Sequence, residues 1–159
     1  MSIQTGDKLP SGTLHEKNPG DKVDVAELSA GKTVVLFAVP GAFTPGCSRT
    51  HLPGYVADAE SIKAKGVDEI VCVSVNDAFV MQAWGDALGA TGKVRMLADP
   101  AAAFTRALGL DVEAAGLGGT RSKRYSMIIK DGVVTALNVE PDGFGLSCSL
   151  SPSILSQLG

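Results

Sequence analysis

Five runs of mostly apolar, often β-branched residues are spaced along the chain, and polar or helix-patterned stretches separate them. A strand buried on both faces of a parallel sheet carries such a continuous run, because helices cover both of its faces. The runs predict strands at residues 33–39, 69–75, 94–98, 125–130 and 133–139. The strand at 33–39 is expected to be central and parallel. Asp131-Gly132 joins the last two runs and predicts a β-hairpin there.

Two long stretches between these runs have helical spacing. The first extends from Cys47 towards Lys65-Gly66, and Pro53 predicts either a kink or two helices near residues 52–54. The second is capped by Asn76 or Asp77. Its apolar residues recur at helical spacing and are expected to share one buried face: Phe79, Val80, Ala83, Trp84, Ala87 and Leu88.

Shorter signals complete the element order. Asp99-Pro100 predicts the cap and first position of a helix over residues 101–108, and Ser151-Pro152 predicts the start of a last helix that ends at Leu158. The glycine-rich residues 111–120 are expected to form a flexible loop. Residues 1–32 are polar and rich in turns, and they predict an edge hairpin that covers the main sheet.

This order of elements predicts an α/β fold of the thioredoxin-like type. Three strand-helix units are followed by a hairpin and a closing helix, which indicates a central mixed β-sheet flanked by helices, with an N-terminal hairpin extension. The 159 residues are enough for one ordinary core, so we expect a single domain over residues 1–159.

Composition and charge exclude several classes of partner. The net charge of -3 gives no basic field for a phosphate backbone, so we expect no nucleic-acid partner. The apolar runs are much shorter than the roughly 20 residues of a membrane span, so we expect no membrane partner. The three cysteines are odd in number and widely spaced, which argues against a secreted disulfide framework. We find no targeting peptide and expect a reducing compartment, by default the cytoplasm.

The candidate chemistry lies where the strand at 33–39 ends and a helix begins, in a turn that contains Pro40, Pro45 and Cys47. Unpaired N–H groups and the helix dipole at such a position favour a thiolate over a thiol, and the thiolate is the reactive form of cysteine. Thr44 can offer its hydroxyl to the same sulfur or to a substrate oxygen. The alternative is an inert cysteine that packs as a small apolar side chain. We assign that structural role to Cys72, which lies inside a buried strand.

Four other functions compete for the same residues. A dithiol reductase needs Cys-x-x-Cys, but here Thr44 stands at the first of those positions. A cysteine hydrolase would use His51 as the base for Cys47. The same pair lies four residues apart on one helix face, as zinc ligands can, but no third or fourth ligand is evident nearby, so no metal is expected. A non-catalytic binding domain on this fold stays open.

The segment Pro40-x-x-x-Thr44-x-x-Cys47 resembles the active-site motif of the peroxiredoxin family, and the wider run over residues 40–54 looks like its peroxiredoxin 5 branch, the atypical two-cysteine members. Similar segments lie at residues 75–80, 97–100, 123–127 and 138–143, so the resemblance covers residues 33–158.

The resemblance implies a thiol-dependent peroxidase that reduces hydrogen peroxide, alkyl hydroperoxides and peroxynitrite. Cys47 would be the peroxidatic cysteine, and its thiolate would become a sulfenic acid. Fixed donors must meet the charge on the leaving oxygen. The substrate-binding residues carried over are Pro40, Thr44, Gly46, Cys47 and Arg124, with Thr44 and Arg124 also catalytic. No cofactor is implied.

The resemblance also implies a resolving cysteine and two partners. Cys148 would attack the Cys47 sulfenic acid and form an intrachain disulfide, which thioredoxin would reduce. We expect local unwinding of the Cys47 helix or of residues 141–149 at each turnover, because disulfide geometry requires close Cα atoms. A homodimer is implied. A one-cysteine peroxidase without a resolving role for Cys148 stays open, as do a mitochondrial form and a peroxisomal form.

Overall fold

Seven strands form one mixed sheet in the computed structural model, which describes residues 2–159. The strand order is β2-β1-β5-β4-β3-β8-β9, and β6 and β7 form a separate two-stranded sheet. The strands are β1 (Thr13–Glu16), β2 (Asn18–Asp24), β3 (Thr33–Val39), β4 (Glu69–Ser74), β5 (Arg95–Ala98), β6 (Asp111–Ala114), β7 (Gly119–Ser122), β8 (Tyr125–Lys130) and β9 (Val133–Val139).

The continuous apolar run at 33–39 forms the strand that the sequence predicts. β3 pairs in parallel with β4 and antiparallel with β8, so Phe37 lies between Cys72 and Ser126. β8 and β9 form the predicted hairpin, and Asp131 and Gly132 both adopt positive φ in its tight turn. The central mixed sheet is therefore confirmed.

Helices cover both faces of this sheet. They are α1 (Val25–Ser29), α2 (Leu52–Ala64), α3 (Ala78–Ala87), α4 (Ala103–Ala107) and α5 (Ser151–Gln157). One apolar cluster joins β3 and β4 to α2, α3 and α5, and it includes Cys47, Tyr55 and Trp84. A second cluster, on the opposite side, includes Leu14 and Phe104. Among residues 2–159, no helix is both long and apolar enough to cross a membrane.

The N-terminal hairpin lies at an edge of the sheet, as predicted, but it does not cover the sheet. β1 pairs antiparallel with β2 on one side and with β5 on the other, so the hairpin extends the sheet by two strands. Leu14 on β1 is buried in the second cluster. Burial of this residue anchors the otherwise polar hairpin to the core.

The prediction of a flexible loop at residues 111–120 is wrong. β6 and β7 form a hairpin there, and a short 3₁₀ turn over Ala115–Leu117 connects them. Gly118 and Gly119 have φ values of 95° and 134°, a region that residues with a Cβ rarely adopt. The glycines therefore shape a tight turn between two strands and do not make the segment irregular.

The expected buried face of α3 is correct only in part: Trp84 is buried and Leu88 packs against the core, but other members of the predicted set are exposed. Phe79 is 62% exposed, and Ala83 and Ala87 lie on the surface. The helix buries Ala78, Met81, Trp84 and Gly85. A Cβ on Gly85 would lie 2.6 Å from Met96 Cγ, so the glycine lets this face of the helix approach β5 closely.

Two helix starts differ from the expected positions. The carboxylate of Asp99 accepts hydrogen bonds from the N–H groups of Phe104 and Thr105 and so caps α4, as predicted. The helix nevertheless begins at Ala103 and not at residue 101, because Ala102 has a left-handed φ of 59°. Ser151 is the first residue of α5 and not its cap. Its hydroxyl donates to Asp58 at 2.6 Å and so joins α5 to α2.

Candidate active site

Cys47 lies in the first helical turn after β3 and is fully buried, with 0% exposure. The chain becomes helical at Pro45, and the N–H of Ser48 donates to the carbonyl of Thr44 at 2.9 Å. The first N–H groups of a helix have no partner within the helix, so this position favours a negative charge. The sulfur therefore lies where a thiolate is stabilised by the backbone.

A π-helical turn spans Cys47–His51, and the regular helix α2 begins at Leu52. Its i,i+5 hydrogen bond runs from the Leu52 N–H to the Cys47 carbonyl. Pro53 follows at the first positions of α2, where a missing N–H is tolerated. The predicted break near residues 52–54 is confirmed, and the wide turn directs both Cys47 and His51 into the core.

Arg124 carries the positive charge of the site. It lies just before β8, is only 4% exposed, and its Nη2 donates to the Cys47 sulfur at 3.3 Å. Its Nε donates to the Phe144 carbonyl at 3.2 Å, and its Nη1 lies 3.0 Å from His51 Nδ1. The ion pairs within residues 2–159 all belong to Arg95. The buried guanidinium therefore has no carboxylate at ion-pair distance in this part of the chain, and it contacts the Cys47 sulfur.

His51 is fully buried beside Arg124. Its Nε2 lies 3.2 Å from the Ser149 carbonyl, so this nitrogen carries the proton and Nδ1 accepts from Arg124. Burial and the charge of Arg124 lower the pKa of His51 to about 3. A neutral ring with both nitrogens engaged neither serves as a base for Cys47 nor ligates zinc. Among residues 2–159, no three side chains of metal-binding type come together.

Thr44 and Gly46 lie on the loop that leads to the sulfur. The Thr44 hydroxyl donates to the Gly41 carbonyl at 2.6 Å, so its proton faces the loop and its oxygen can still accept a hydrogen bond. A Cβ on Gly46 would lie 3.2 Å from Arg124 Nη2, which shows how closely the guanidinium packs on this backbone. Pro40, which follows β3, is buried.

Cys148 lies in the segment between β9 and α5. Its thiol donates to the Val139 carbonyl at 3.5 Å and is half-buried. Burial and the nearby charge of Glu140 raise the pKa of this thiol. All three cysteines are free thiols, so no disulfide joins Cys47 and Cys148 in this structure. Cys72 is fully buried in β4, and the core-packing assignment for it is confirmed.

Comparison with known proteins decides the family. The model of the Redoxin family matches residues 4–147. The chain belongs to the Redoxin family. Peroxiredoxin-2E-2 of the chloroplast, from Oryza sativa subsp. japonica, is 52% identical over 89% of this chain and 67% of its own length. With relatives of this similarity the protein is a peroxiredoxin, that is, a thiol-dependent peroxidase.

Solved structures share the whole fold. Reduced Prx3 of Vibrio vulnificus in complex with hydrogen peroxide is 55% identical, with a TM-score of 0.92 and 99% of both chains covered. Peroxiredoxin 5 from Alvinella pompejana is 36% identical, with a TM-score of 0.86, over 98% of this chain and 97% of its own. The thioredoxin-like fold of this peroxiredoxin is therefore confirmed.

The sequence did not predict the roles that two residues have in the site of this peroxiredoxin. The sequence suggested His51 as a base or a metal ligand, but its neutral ring forms hydrogen bonds with Arg124 on one side and with the Ser149 carbonyl on the other. Glu140 received no role, although its buried carboxylate binds the segment that carries Cys148. The signal for Glu140 was weak, because its partners are serines of an irregular segment and not a charged motif.

Proposed function

We propose that Cys47 is the peroxidatic cysteine of this peroxiredoxin. The observation that carries the proposal is the 3.3 Å contact between Arg124 Nη2 and the Cys47 sulfur, made by a buried cation without a carboxylate partner in residues 2–159. In the reaction, the thiolate forms a bond to one peroxide oxygen while the O–O bond breaks. The other oxygen leaves with the bonding electrons, takes up a proton and departs as water or an alcohol. Cys47 becomes a sulfenic acid.

The same groups stabilise the transition state. Negative charge moves from the sulfur to the leaving oxygen, and fixed donors are most effective where water is excluded. Arg124 presents its guanidinium at the sulfur, and the first N–H groups of the helix at Gly46 and Cys47 lie beside it. The Thr44 hydroxyl oxygen can accept a hydrogen bond from the peroxide through its free lone pair, and Pro40 lies buried at the end of β3 beside this loop. Neither metal nor organic cofactor takes part in this mechanism.

We propose that Cys148 resolves the sulfenic acid. Its sulfur attacks the Cys47 sulfur, the S–O bond breaks, and the hydroxyl group leaves as water with the thiol proton of Cys148. The product is an intrachain disulfide, which thioredoxin reduces. The free thiol of Cys148 and the irregular backbone of residues 141–149 support this assignment, because the segment has no strand or helix to unfold.

We propose that the chain belongs to the peroxiredoxin 5 branch, which the run over residues 40–54 supports.

We also propose that the protein is a homodimer. The Ala42 N–H donates to the Asn76 side chain at 3.0 Å, so the Cys47 loop and the start of α3 lie side by side. Phe43 and Phe79 project from these two segments with 57% and 62% exposure. Exposed aromatic side chains of this kind mark protein interfaces. A second copy of the chain is the partner we propose for them.

We propose a reducing compartment, by default the cytoplasm. The chain has three free cysteines, and Cys148 is partly exposed. Free cysteines of this kind keep their function only where thiols stay reduced. The relative from Oryza sativa is described as chloroplastic. Fractionation of the native cell, with a thiol-redox marker for each compartment, tests this assignment.

Steady-state peroxide consumption with thioredoxin, thioredoxin reductase and NADPH tests the catalytic roles. Cys47→Ser is expected to lose activity, and Cys72→Ala is the control that keeps it, because Cys72 packs in the core. Cys148→Ser is expected to complete one turnover and then to cycle poorly with thioredoxin. Full activity in Cys47→Ser would contradict the proposal, and full cycling in Cys148→Ser would make the protein a one-cysteine peroxidase.

A further inference from the structure

Glu140 binds the chain on both sides of Cys148. Its carboxylate, only 1% exposed, accepts the Ser147 hydroxyl at 2.6 Å and the Ser147 N–H at 3.1 Å. It also accepts the Ser149 N–H at 2.8 Å and the Ser149 hydroxyl at 2.6 Å. Four donors from the two neighbours of the resolving cysteine therefore converge on one carboxylate.

The carboxylate is ionised at neutral pH. Burial by itself would raise the pKa of Glu140, but the hydrogen bonds from Ser147 and Ser149 together outweigh burial and lower this pKa to about 2. Hydrogen bonds to an ionised acceptor are roughly twice as strong as those between neutral groups. The Cys148 segment is therefore held more firmly than its irregular backbone suggests.

The same contacts lead to Cys47. The Ser149 carbonyl accepts hydrogen bonds from the Tyr55 hydroxyl at 2.8 Å and from His51 Nε2 at 3.2 Å. His51 Nδ1 in turn accepts a hydrogen bond from Arg124, and Arg124 contacts the Cys47 sulfur. The position in which Glu140 holds Ser149 is therefore also the position that supports the guanidinium in the reduced enzyme.

We propose that Glu140 is a positioning residue that holds the Cys148 segment in its reduced conformation and so limits the rate of disulfide formation. This inference rests on the proposed resolving role of Cys148. The two thiols have different partners: the Cys148 sulfur contacts the Val139 carbonyl, and the buried Cys47 sulfur contacts Arg124. An S–S bond of about 2.05 Å requires one or both to move. Movement of Cys148 stretches or breaks the hydrogen bonds of both flanking serines to Glu140.

The charge of Glu140 acts in the same direction as its hydrogen bonds. Burial, and then the Glu140 carboxylate, raise the pKa of Cys148, which must lose its proton to attack the sulfenic acid. The charged or titratable groups that contact this segment include Glu140 and Asp142 within it, His51, Tyr55 and Arg124 from the site, and Lys123, whose side chain packs near Gly143. Of these, only Glu140 contributes to the shift at Cys148.

Glu140→Gln tests the proposal in a single turnover. The amide keeps the size of the side chain, but it removes the charge and turns one acceptor into a donor that faces other donors. Oxidation of Cys47 can be followed through the single tryptophan, since Trp84 Nε1 donates to the hydroxyl of Ser48 at 2.9 Å. Disulfide formation is followed by acid quench and mass spectrometry of the whole chain.

We expect the disulfide to form about tenfold faster in Glu140→Gln, whereas oxidation of Cys47, which Glu140 supports only through Ser149, His51 and Arg124, is expected to be slowed and not accelerated. Asp142→Asn is the matched control. Asp142 lies in the same segment and accepts the N–H groups of Phe144 and Gly145, but it contacts neither neighbour of Cys148. It is expected to leave both rates unchanged.

A second variant separates the hydrogen bonds from the charge. Ser147→Ala removes one donor at an exposed position and keeps the Glu140 charge. The Ser147 hydroxyl itself lowers the pKa of Cys148, so its loss cannot move the pH midpoint of resolution to lower pH. Ser147→Ala is expected to accelerate resolution at high pH, where Cys148 is ionised, by about threefold. Glu140→Gln is expected to move this midpoint to lower pH.

Three results would overturn the inference: an unchanged or slower disulfide step in Glu140→Gln, an equal acceleration in Asp142→Asn, or no acceleration at high pH in Ser147→Ala. Failure of the proposed function looks different. In that case the wild-type enzyme itself forms no Cys47–Cys148 disulfide after peroxide, and the sulfenic acid persists. That result would remove the resolving role and the inference together.

Discussion

Arg124→Lys is the substitution that most sharply tests how the site activates peroxide. The positive charge is kept, but the planar fork is lost. The guanidinium reaches the Cys47 sulfur, the His51 ring and the Phe144 carbonyl at 3.3, 3.0 and 3.2 Å from three different nitrogens. A single ammonium group cannot occupy these three positions at once.

The expected loss follows from these contacts. Removing one preorganised donor from a buried transition state costs about 10²–10³-fold in rate, or about 3–4 kcal/mol. Arg124→Lys is therefore expected to lower the second-order rate constant for Cys47 oxidation by about 10²-fold or more. The buried acceptors on His51 and Phe144 also lose their donor, so the free energy of unfolding is expected to fall by about 1–3 kcal/mol.

Stopped-flow fluorescence of Trp84 after mixing with hydrogen peroxide measures the oxidation rate, and urea unfolding measures stability. Arg121→Lys is the matched control. Its guanidinium donates to the carbonyls of Val75 and Leu117 and has no contact with the sulfur. It is expected to react at nearly the wild-type rate. A rate for Arg124→Lys within about threefold of wild type, or an equal loss in Arg121→Lys, would refute the reasoning.

Three further predictions follow from individual contacts. Thr44→Val removes the hydroxyl and is expected to slow Cys47 oxidation by about tenfold or more, whereas Thr44→Ser retains most of the rate. The pKa of His51 is about 3 in the fold and 6.5 in the unfolded chain, so the free energy of unfolding falls as the pH is lowered from 6.5 towards 3. At pH 5 this effect destabilises the enzyme by about 2 kcal/mol. Urea titrations should show that His51→Asn lacks this pH-dependent loss. Phe79→Asp is expected to give a monomer in sedimentation velocity with its fold retained, and a persistent dimer would contradict the proposed interface.

The sheet was predictable because its central strands carry their own signal. Residues 34–39 are apolar throughout and fully buried, which leaves few alternatives to a strand. The face of α3 was not predictable in the same way. Phe79 has the apolar character of a core residue, but it is exposed, because the face of α3 that packs against Met96 of β5 is the one that carries Gly85. That packing depends on β5, which lies elsewhere in the chain.

The site divides in a similar manner. The strand-turn-helix junction predicted the position of Cys47 and Thr44, because the geometry there is local. Arg124 could not be distinguished from Arg121 by local pattern, since both lie in one basic stretch. The structure separates them through their partners, a sulfur in one case and backbone carbonyls in the other. Glu140 was missed because its partners become visible only when the irregular segment folds back onto it.

Treatment of the reduced enzyme with one equivalent of hydrogen peroxide, followed by alkylation, peptide mapping and mass spectrometry, tests the central claim most directly. We predict one intrachain disulfide between Cys47 and Cys148, with Cys72 still alkylated. In Cys148→Ser we predict a sulfenic acid that dimedone traps on Cys47. Oxidation that appears first on Cys72 or Cys148, with Cys47 still reduced, would contradict the account.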